Sequence, residues 1–417
     1  MLTTNFILTS LSSLFWYIAS RADLLYLLPF LIYQITESVA WVGIGGFLRL
    51  IPMIMGPIFG VTADRIDRKT LLIAINSTNG LLMIAIGITV YLGIINMYIL
   101  AALVLLTGIC YPADMITRRA FISTIVSPKN ITKGLSVDVI SFMLGSIVGP
   151  ISIGYLLAFT SISFAYIVMG VIYLVGVCTI FFVRTKTTPS RLNITNEDST
   201  GVKSEPSNKS LKSISSDLKT VISYVRHNSP LMPALVIVII ANVTIMSYQA
   251  MISSIGTNEL GMSTSTAGFL VSSVYFGGIF GGVAVFLNKN IRYHARYMLL
   301  GILLMGIGGV GLGVLSSYGA ILVFLVLGGV GIGIFGGTEF AFFVVSTPSL
   351  MAGRIFGLLV FTISSWPVGI FLLGLLGSIS SLQSAVSLMS LIGLVAIAIV
   401  VLFNRELLSE TIVASRS

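Results

Sequence analysis

Five charged side chains stand out within long apolar runs. Asp23 and Arg21 fall within 11–35, Arg49 within 41–63, Asp138 within 134–158 and Glu339 within 319–345. A charge in such a run is expensive and is kept opposite a partner or a cavity. A buried carboxyl can take up a proton, because burial disfavours its charged form while a nearby cation favours it. The chemistry on offer is therefore reversible protonation, with Asp23 the first candidate and Glu339 the second. Arg49 is read as the counter-charge of Asp23 or as a handle for an anionic substrate. Arg21 and Asp23 are two residues apart, so they face different sides of a helix. At about 1.5 Å of rise per residue, Asp23 and Arg49 differ in depth by several ångströms, within an arginine's reach. A static ion pair that never titrates is the competing reading. Asp138 lies near the end of its run and is assigned to a network with Lys133 or Arg118.

Other chemistry has no residues to carry it. Cys110 and Cys178 lie in apolar runs, and His227 and His294 lie in polar segments, so no Cys/His ligand cluster is formed. No G-x-x-x-x-G-K-[ST] loop occurs. The expectation is a protein without metal or cofactor, and not an enzyme. Tyr26, Tyr33, Gln34, Asn242, Tyr248, Gln249, Tyr275, Phe276 and Trp366 are candidate cavity residues, a lining suited to a small amphiphilic molecule.

The elements that must hold these groups follow from composition. Of 417 residues 56% are hydrophobic, a further 42 are glycine, and 9% are charged, with mean hydropathy +1.04. A soluble domain carries about 25% charge, and a globule this apolar would not stay dissolved. A soluble enzyme, a disordered chain and a disulfide-rich module are excluded. The runs are continuously apolar rather than alternating, so the spanning elements are helices, not strands of a barrel.

The pattern predicts twelve spans near 11–35, 41–63, 70–92, 96–116, 134–158, 162–183, 231–255, 266–288, 296–316, 319–345, 354–377 and 382–403. Twenty-one of the 23 Lys and Arg residues fall in loops, linker or tail on one side of this arrangement; the other two are Arg21 and Arg49. That bias sets the basic side as cytoplasmic, with both termini on it. It also accounts for the net charge of +9 without nucleic acid. The polar stretch 184–230 divides the chain into 1–183 and 231–417, each with six spans. Its first part is a flexible linker. Residues 211, 214, 218, 221, 222 and 225 form an apolar stripe, expected as an amphipathic helix on the membrane surface.

Between the second and third spans residues 60–69 read GVTADRIDRK. This resembles the signature loop of the major facilitator superfamily, G-x-x-x-D-[RK]-x-G-x-[RK]-[RK], matched by Gly60, Asp64, Arg65 and Lys69. Asp67 replaces the second glycine and Arg68 fills a variable position. GSIVGPISIG over 145–154 resembles the superfamily's efflux motif G-x-x-x-G-P-x-x-G-G, with Ile153 breaking the last glycine pair. GRIFGL over 353–358, opening span eleven, is a further echo. The variant loop resembles the enterobactin-exporter-like and macrolide-efflux-like branch.

The resemblance implies an all-α membrane protein of twelve transmembrane helices in two six-helix bundles. It further implies a cytoplasmic gate in which Asp64 docks on the start of span eleven beside Arg354, with Arg65 and Arg68 on carboxylates such as Asp114. Arg118 and Asp138 are grouped with this gate. Gly145, Gly149, Pro150 and Gly154 of span five would meet Gly277 and Gly281 of span eight across the halves; small residues permit such close contact in lipid. The expected function is proton-coupled efflux of a small amphiphilic molecule, drug or siderophore-like, by alternating access, from a monomer in the cell's inner (cytoplasmic) membrane. The partners are substrate, protons and the lipid bilayer. Proton-coupled uptake and a non-transporting sensor or scaffold of the same fold are the alternatives.

Overall fold

The computed structural model describes residues 3–56, 58–59, 62, 66–127, 130–184, 231–288, 293–347, 358–359 and 362–409. Among the described residues ten helices are long and apolar enough to cross a bilayer: Thr4–Thr36, Arg68–Tyr91, Met97–Ile125, Lys133–Phe159, Ile162–Phe181, Leu231–Ala250, Thr264–Leu287, His294–Val314, Tyr318–Phe343 and Leu382–Phe403. Val39–Met55 and Trp366–Ile379 are shorter apolar helices in the places predicted for spans two and eleven. Numbered in chain order they are spans one to twelve, six before residue 184 and six after 230. Helices satisfy every backbone group internally, which lipid demands.

The turns opposite the basic side are held by short side-chain caps. Asn96 accepts from the N–H groups of Tyr98 and Ile99, Ser161 from Phe164, Ser263 from Thr266 and Ser381 from Ser384. Each satisfies N–H groups that a helix start leaves free. On the basic side Asp67 caps span three through the N–H of Thr70.

Three spans depart from the plain helices predicted. Span one widens into a π-helical turn over Asp23–Leu27. Span two tightens to a 3₁₀ stretch over Ile51–Met55. Span seven alternates: α over Leu231–Ile240, π over Ala241–Ile245, 3₁₀ over Met246–Ala250, then Ile252–Ser254 and a second π turn Ile255–Glu259. Such turns inside apolar helices recur at functional positions. Span four runs to Ile125, past the predicted end at 116, so Arg118 and Arg119 belong to a helix rather than a loop.

The halves meet near the ends opposite the basic side. Spans two and eleven approach so closely at Gly43 and Gly374 that a Cβ on Gly43 would stand 2.8 Å from the Gly374 Cα. Spans five and eight approach at Gly154 and Gly268; a Cβ on Gly268 would stand 2.5 Å from the Pro150 carbonyl oxygen. Tyr26 Oη donates to the Thr264 carbonyl at 2.6 Å, and Thr264 Oγ1 donates to the Gly154 carbonyl at 3.0 Å. Deeper in the bilayer Ser272 Oγ donates to the Ile147 carbonyl at 2.7 Å, and the Phe142 and Tyr275 rings meet edge to face.

The small-residue faces pair differently from the expectation. Gly145 and Gly149 face span one, where added Cβ atoms would meet Tyr17, Ile18 and Ala22 backbone within 3 Å. Gly277 and Gly281 face span ten, against the carbonyls of Val326 and Val330. The contact between spans five and eight rests on Pro150, Gly154 and Gly268 instead. The physical reason is that span five is buried on two sides: Gly145 and Gly149 admit span one, while span eight is met by Pro150 and Gly154 and, deeper in the bilayer, by Ile147 and Phe142.

Candidate transport site

The buried charges of the N-terminal half sort into three groups. Asp23, 2% exposed, sits at the start of the widened turn of span one. Arg49, 1% exposed, sends its Nε to Asp23 Oδ2 at 3.2 Å and its Nη1 to the Thr107 carbonyl of span four at 2.9 Å. Gly108 makes room for this: a Cβ there would stand 2.7 Å from the Arg49 carbonyl oxygen. The guanidinium also lies 5.6 Å from the Tyr111 ring centroid, a favourable cation–π placement. The pair ties spans one, two and four together.

The second group lies closer to the basic side. Asp114 and Arg118 pair one turn apart on span four at 2.7 Å, with both side chains fully buried. Asn76 Nδ2 donates to Asp114 Oδ1 at 2.6 Å, Arg118 reaches the Ser12 and Ser13 hydroxyls, and its guanidinium lies over Trp16. Asp114 is thus held by Arg118 and Asn76 and not by Arg68, whose Nη1 donates to the Ala120 carbonyl. Lys69 binds the Phe181 and Val183 carbonyls at the end of span six. The third group joins spans one, four and five: Tyr17 Oη donates to Asp138 Oδ2 at 3.1 Å, and Arg119, 47% exposed, lies 3.7 Å from the same oxygen. Asp138 therefore pairs with Arg119, not with Lys133 or Arg118, because the lengthened span four turns Arg119 toward span five. Gly60, Asp64, Arg65 and Arg354 lie outside the described residues, as does the expected amphipathic helix at 211–225.

Two charges are left over. Arg21, 4% exposed, donates from Nη2 to Tyr111 Oη at 3.1 Å and lies 4.1 Å from the Phe142 ring centroid. Its Nε has no hydrogen-bond partner, and no carboxylate among the described residues lies within ion-pair distance of it. Glu339, 3% exposed, is the mirror case in the C-terminal half: its Oε1 is buried without a partner. Phe335, Phe342 and Phe343, at i−4, i+3 and i+4 of span ten, share its face and belong to the apolar core of that half. Neither Asp23 nor Glu339 is turned out toward lipid.

The aromatic and amide candidates divide in the same way. Tyr275 Oη donates to Gln249 Oε1 at 3.0 Å, which leaves the buried Gln249 Nε2 without a partner. Trp366 Nε1 donates to the Met246 carbonyl in the irregular part of span seven. Asn242 donates to its own helix, at the Val238 carbonyl. Tyr33 is partly buried, Gln34 and Phe276 are exposed, and Tyr248 is buried with its hydroxyl unpartnered. Sequence reading missed Thr107, Tyr111, Asn76, Tyr17 and Phe142, which complete the charge sites. Polar side chains in apolar runs were the available signal; a search confined to formal charges passes over them. It also missed Glu259, whose carboxylate accepts from the Leu382 N–H and, at 2.8 Å, from the Gln383 N–H at the start of span twelve.

Comparison with known proteins agrees with this architecture. The model of the Major Facilitator Superfamily matches residues 6–370. The chain belongs to that superfamily and is a multi-pass membrane protein of the transporter fold. Among solved structures it is similar to a bacterial homologue of the human lysosomal transporter Spinster in an inward-facing, unoccupied conformation, with 11% identity, TM-score 0.68, and coverage of 99% of this chain and 96% of that one. It is also similar to a mutant of the peptide transporter POT in complex with alafosfalin (15%, 0.70, 97% and 94%). A POT family transporter in complex with 5-aminolevulinic acid is a third (13%, 0.68, 97% and 96%). No curated protein matches the chain.

Proposed function

We propose that this protein is a proton-coupled secondary transporter that exports small amphiphilic molecules from the cytoplasm. The two halves rock about a central site and open it alternately to either side. The basic loops set the cytoplasmic side, and both termini lie on it. The proton rides on Glu339. The observation that carries this assignment is the Glu339 carboxyl, the one buried carboxyl among the described residues of the C-terminal half, 3% exposed with one oxygen unpartnered. A buried carboxylate without counter-charge or full hydrogen bonding is costly, so proton gain and loss at Glu339 alters the energy of the closed core. That difference biases which side is open. Asp23, the first candidate from sequence, is held by Arg49 and serves as the fixed joint of the N-terminal half.

Export over uptake is supported by the efflux-like motif of span five. Its Pro150 and Gly154 form the contact with span eight on the side opposite the basic loops, the surface that must part for release.

Everted membrane vesicles with an acidified lumen test the proposal. A pH-sensitive dye trapped in the lumen reports proton loss when a panel of amphiphiles is added outside. The expected result is amphiphile-dependent alkalinisation with the wild type and none with Glu339→Gln. Proton entry that accompanies the amphiphile would reverse the direction to symport. Amphiphile movement indifferent to the gradient in both proteins would remove proton coupling.

A further inference from the structure

We infer that Arg21 is the anchor for an anionic group on the transported molecule, a carboxylate or a phosphate-type oxyanion. The inference deepens the transporter reading above but is independent of proton coupling. It starts from the pairing of buried charges. In the N-terminal half Asp23 is matched by Arg49, Asp114 by Arg118 and Asp138 by Arg119. Arg21 is left with a phenol and a ring face as its neighbours. An arginine in the middle of a span is costly even by the mildest insertion scale. Pairing with a carboxylate would offset that cost, and among the described residues none pairs with Arg21.

Position gives the missing partner a place to sit. Arg21 lies on Phe142 of span five; the Phe142 ring meets Tyr275 of span eight, and Tyr275 is bonded to Gln249 of span seven. Arg21 is thus one ring removed from the C-terminal half, at the seam where a carried molecule must bind. Buried N–H donors without an acceptor stand on both sides of this seam, among them Arg21 Nε in one half and the Gln249 amide nitrogen in the other. Donors without acceptors call for an acceptor from outside the chain. The planar guanidinium matches an oxyanion with two parallel hydrogen bonds, and the Phe142 and Tyr111 rings give an apolar body somewhere to lie. Arg49 also keeps one buried donor free, its Nη2, but its charge is already matched by Asp23 and its Nη1 by the Thr107 carbonyl, so Arg21 is the cation of the pair left for an outside anion.

Binding to the purified full chain in detergent, with no gradient, tests this. The probes are 4-phenylbutyrate, 4-phenylbutylphosphonate and the uncharged 4-phenylbutanamide, read by calorimetry. The wild type is expected to bind at least one of the two anions tenfold or more tightly than the amide; which one it prefers separates carboxylate from phosphate-type chemistry. Arg21→Met is expected to lose that preference, bind the amide as before, and unfold at no lower temperature than wild type, since an unpaired buried cation has been removed. Arg21→Lys, which keeps the charge without the fork, is expected to fold and show a reduced preference; it serves as the test if Arg21→Met does not fold. Equal binding of amide and anions by wild type would overturn the inference. So would an undiminished anion preference in both variants, or parallel loss of amide and anion binding. Failure of proton coupling at Glu339 would leave all these binding results standing, so the two proposals fail separately.

Discussion

Arg49 reaches across from span two to Asp23 at 3.2 Å, while Arg21, two residues before Asp23, donates to Tyr111 and lies over Phe142, with no carboxylate among the described residues within ion-pair distance. The same stretch of helix therefore carries one satisfied charge and one unsatisfied charge. Removing one member of a buried pair costs about 3–5 kcal/mol, chiefly because the other is stranded. Arg49→Met is expected to lower stability by that amount in detergent. The double variant Asp23→Leu with Arg49→Met is expected to recover more than half of the loss. Thermal unfolding of the two single variants and the double variant checks this; additive losses would show that the pair contributes nothing as a pair.

The seam glycines make a conformational prediction. Gly268 lies so close to the Pro150 carbonyl that any side chain forces spans five and eight apart. Gly268→Val is expected to fold, since the glycine is at a surface between halves, but to hold the side opposite the basic loops open. Spin labels at Gln34→Cys and Ser378→Cys, both exposed near that side, in a background with Cys110 and Cys178 replaced by Ser, read the separation. A longer distance in Gly268→Val than in its parent is expected; an unchanged distance would mean that the contact does not govern closure.

Glu259 ends the irregular part of span seven on the first turn of span twelve, where its carboxylate takes two backbone N–H groups. Loss of a helix cap costs about 1 kcal/mol. Glu259→Ala is expected to cost that much and to speed hydrogen exchange in residues 382–386, with Glu259→Gln intermediate. Exchange rates equal to wild type would remove the cap from the account.

The spans were legible because lipid leaves the backbone one choice: the predicted run 382–403 is helical over Leu382–Phe403, and 162–183 over Ile162–Phe181. What the sequence could not reveal were relations that depend on rotation about a helix axis. Gly145 and Gly154 belong to one motif, yet nine residues turn the first toward span one and the second toward span eight. Span four was ended too early because Arg118 and Arg119 look like loop charges; burial of Arg118 against Asp114 and Asn76 lets the helix continue. The widened turn at Asp23 leaves no composition signal, since Leu24, Leu25 and Leu27 suit an α-helix equally well. The Asp23–Arg49 contact was within reach of sequence reasoning because depth alone brings the two together.

We propose that Glu339, a buried acid with one oxygen unpartnered among the described residues, links proton movement to the rocking of the halves. The most direct measurement is transport in proteoliposomes of the wild type and Glu339→Gln, each assayed with and without an imposed pH gradient, using an amphiphile the wild type accumulates. The account predicts that the gradient raises wild-type accumulation severalfold, while Glu339→Gln still exchanges the amphiphile down its own gradient and ignores the pH difference. Gradient-driven accumulation by Glu339→Gln equal to that of wild type would contradict it.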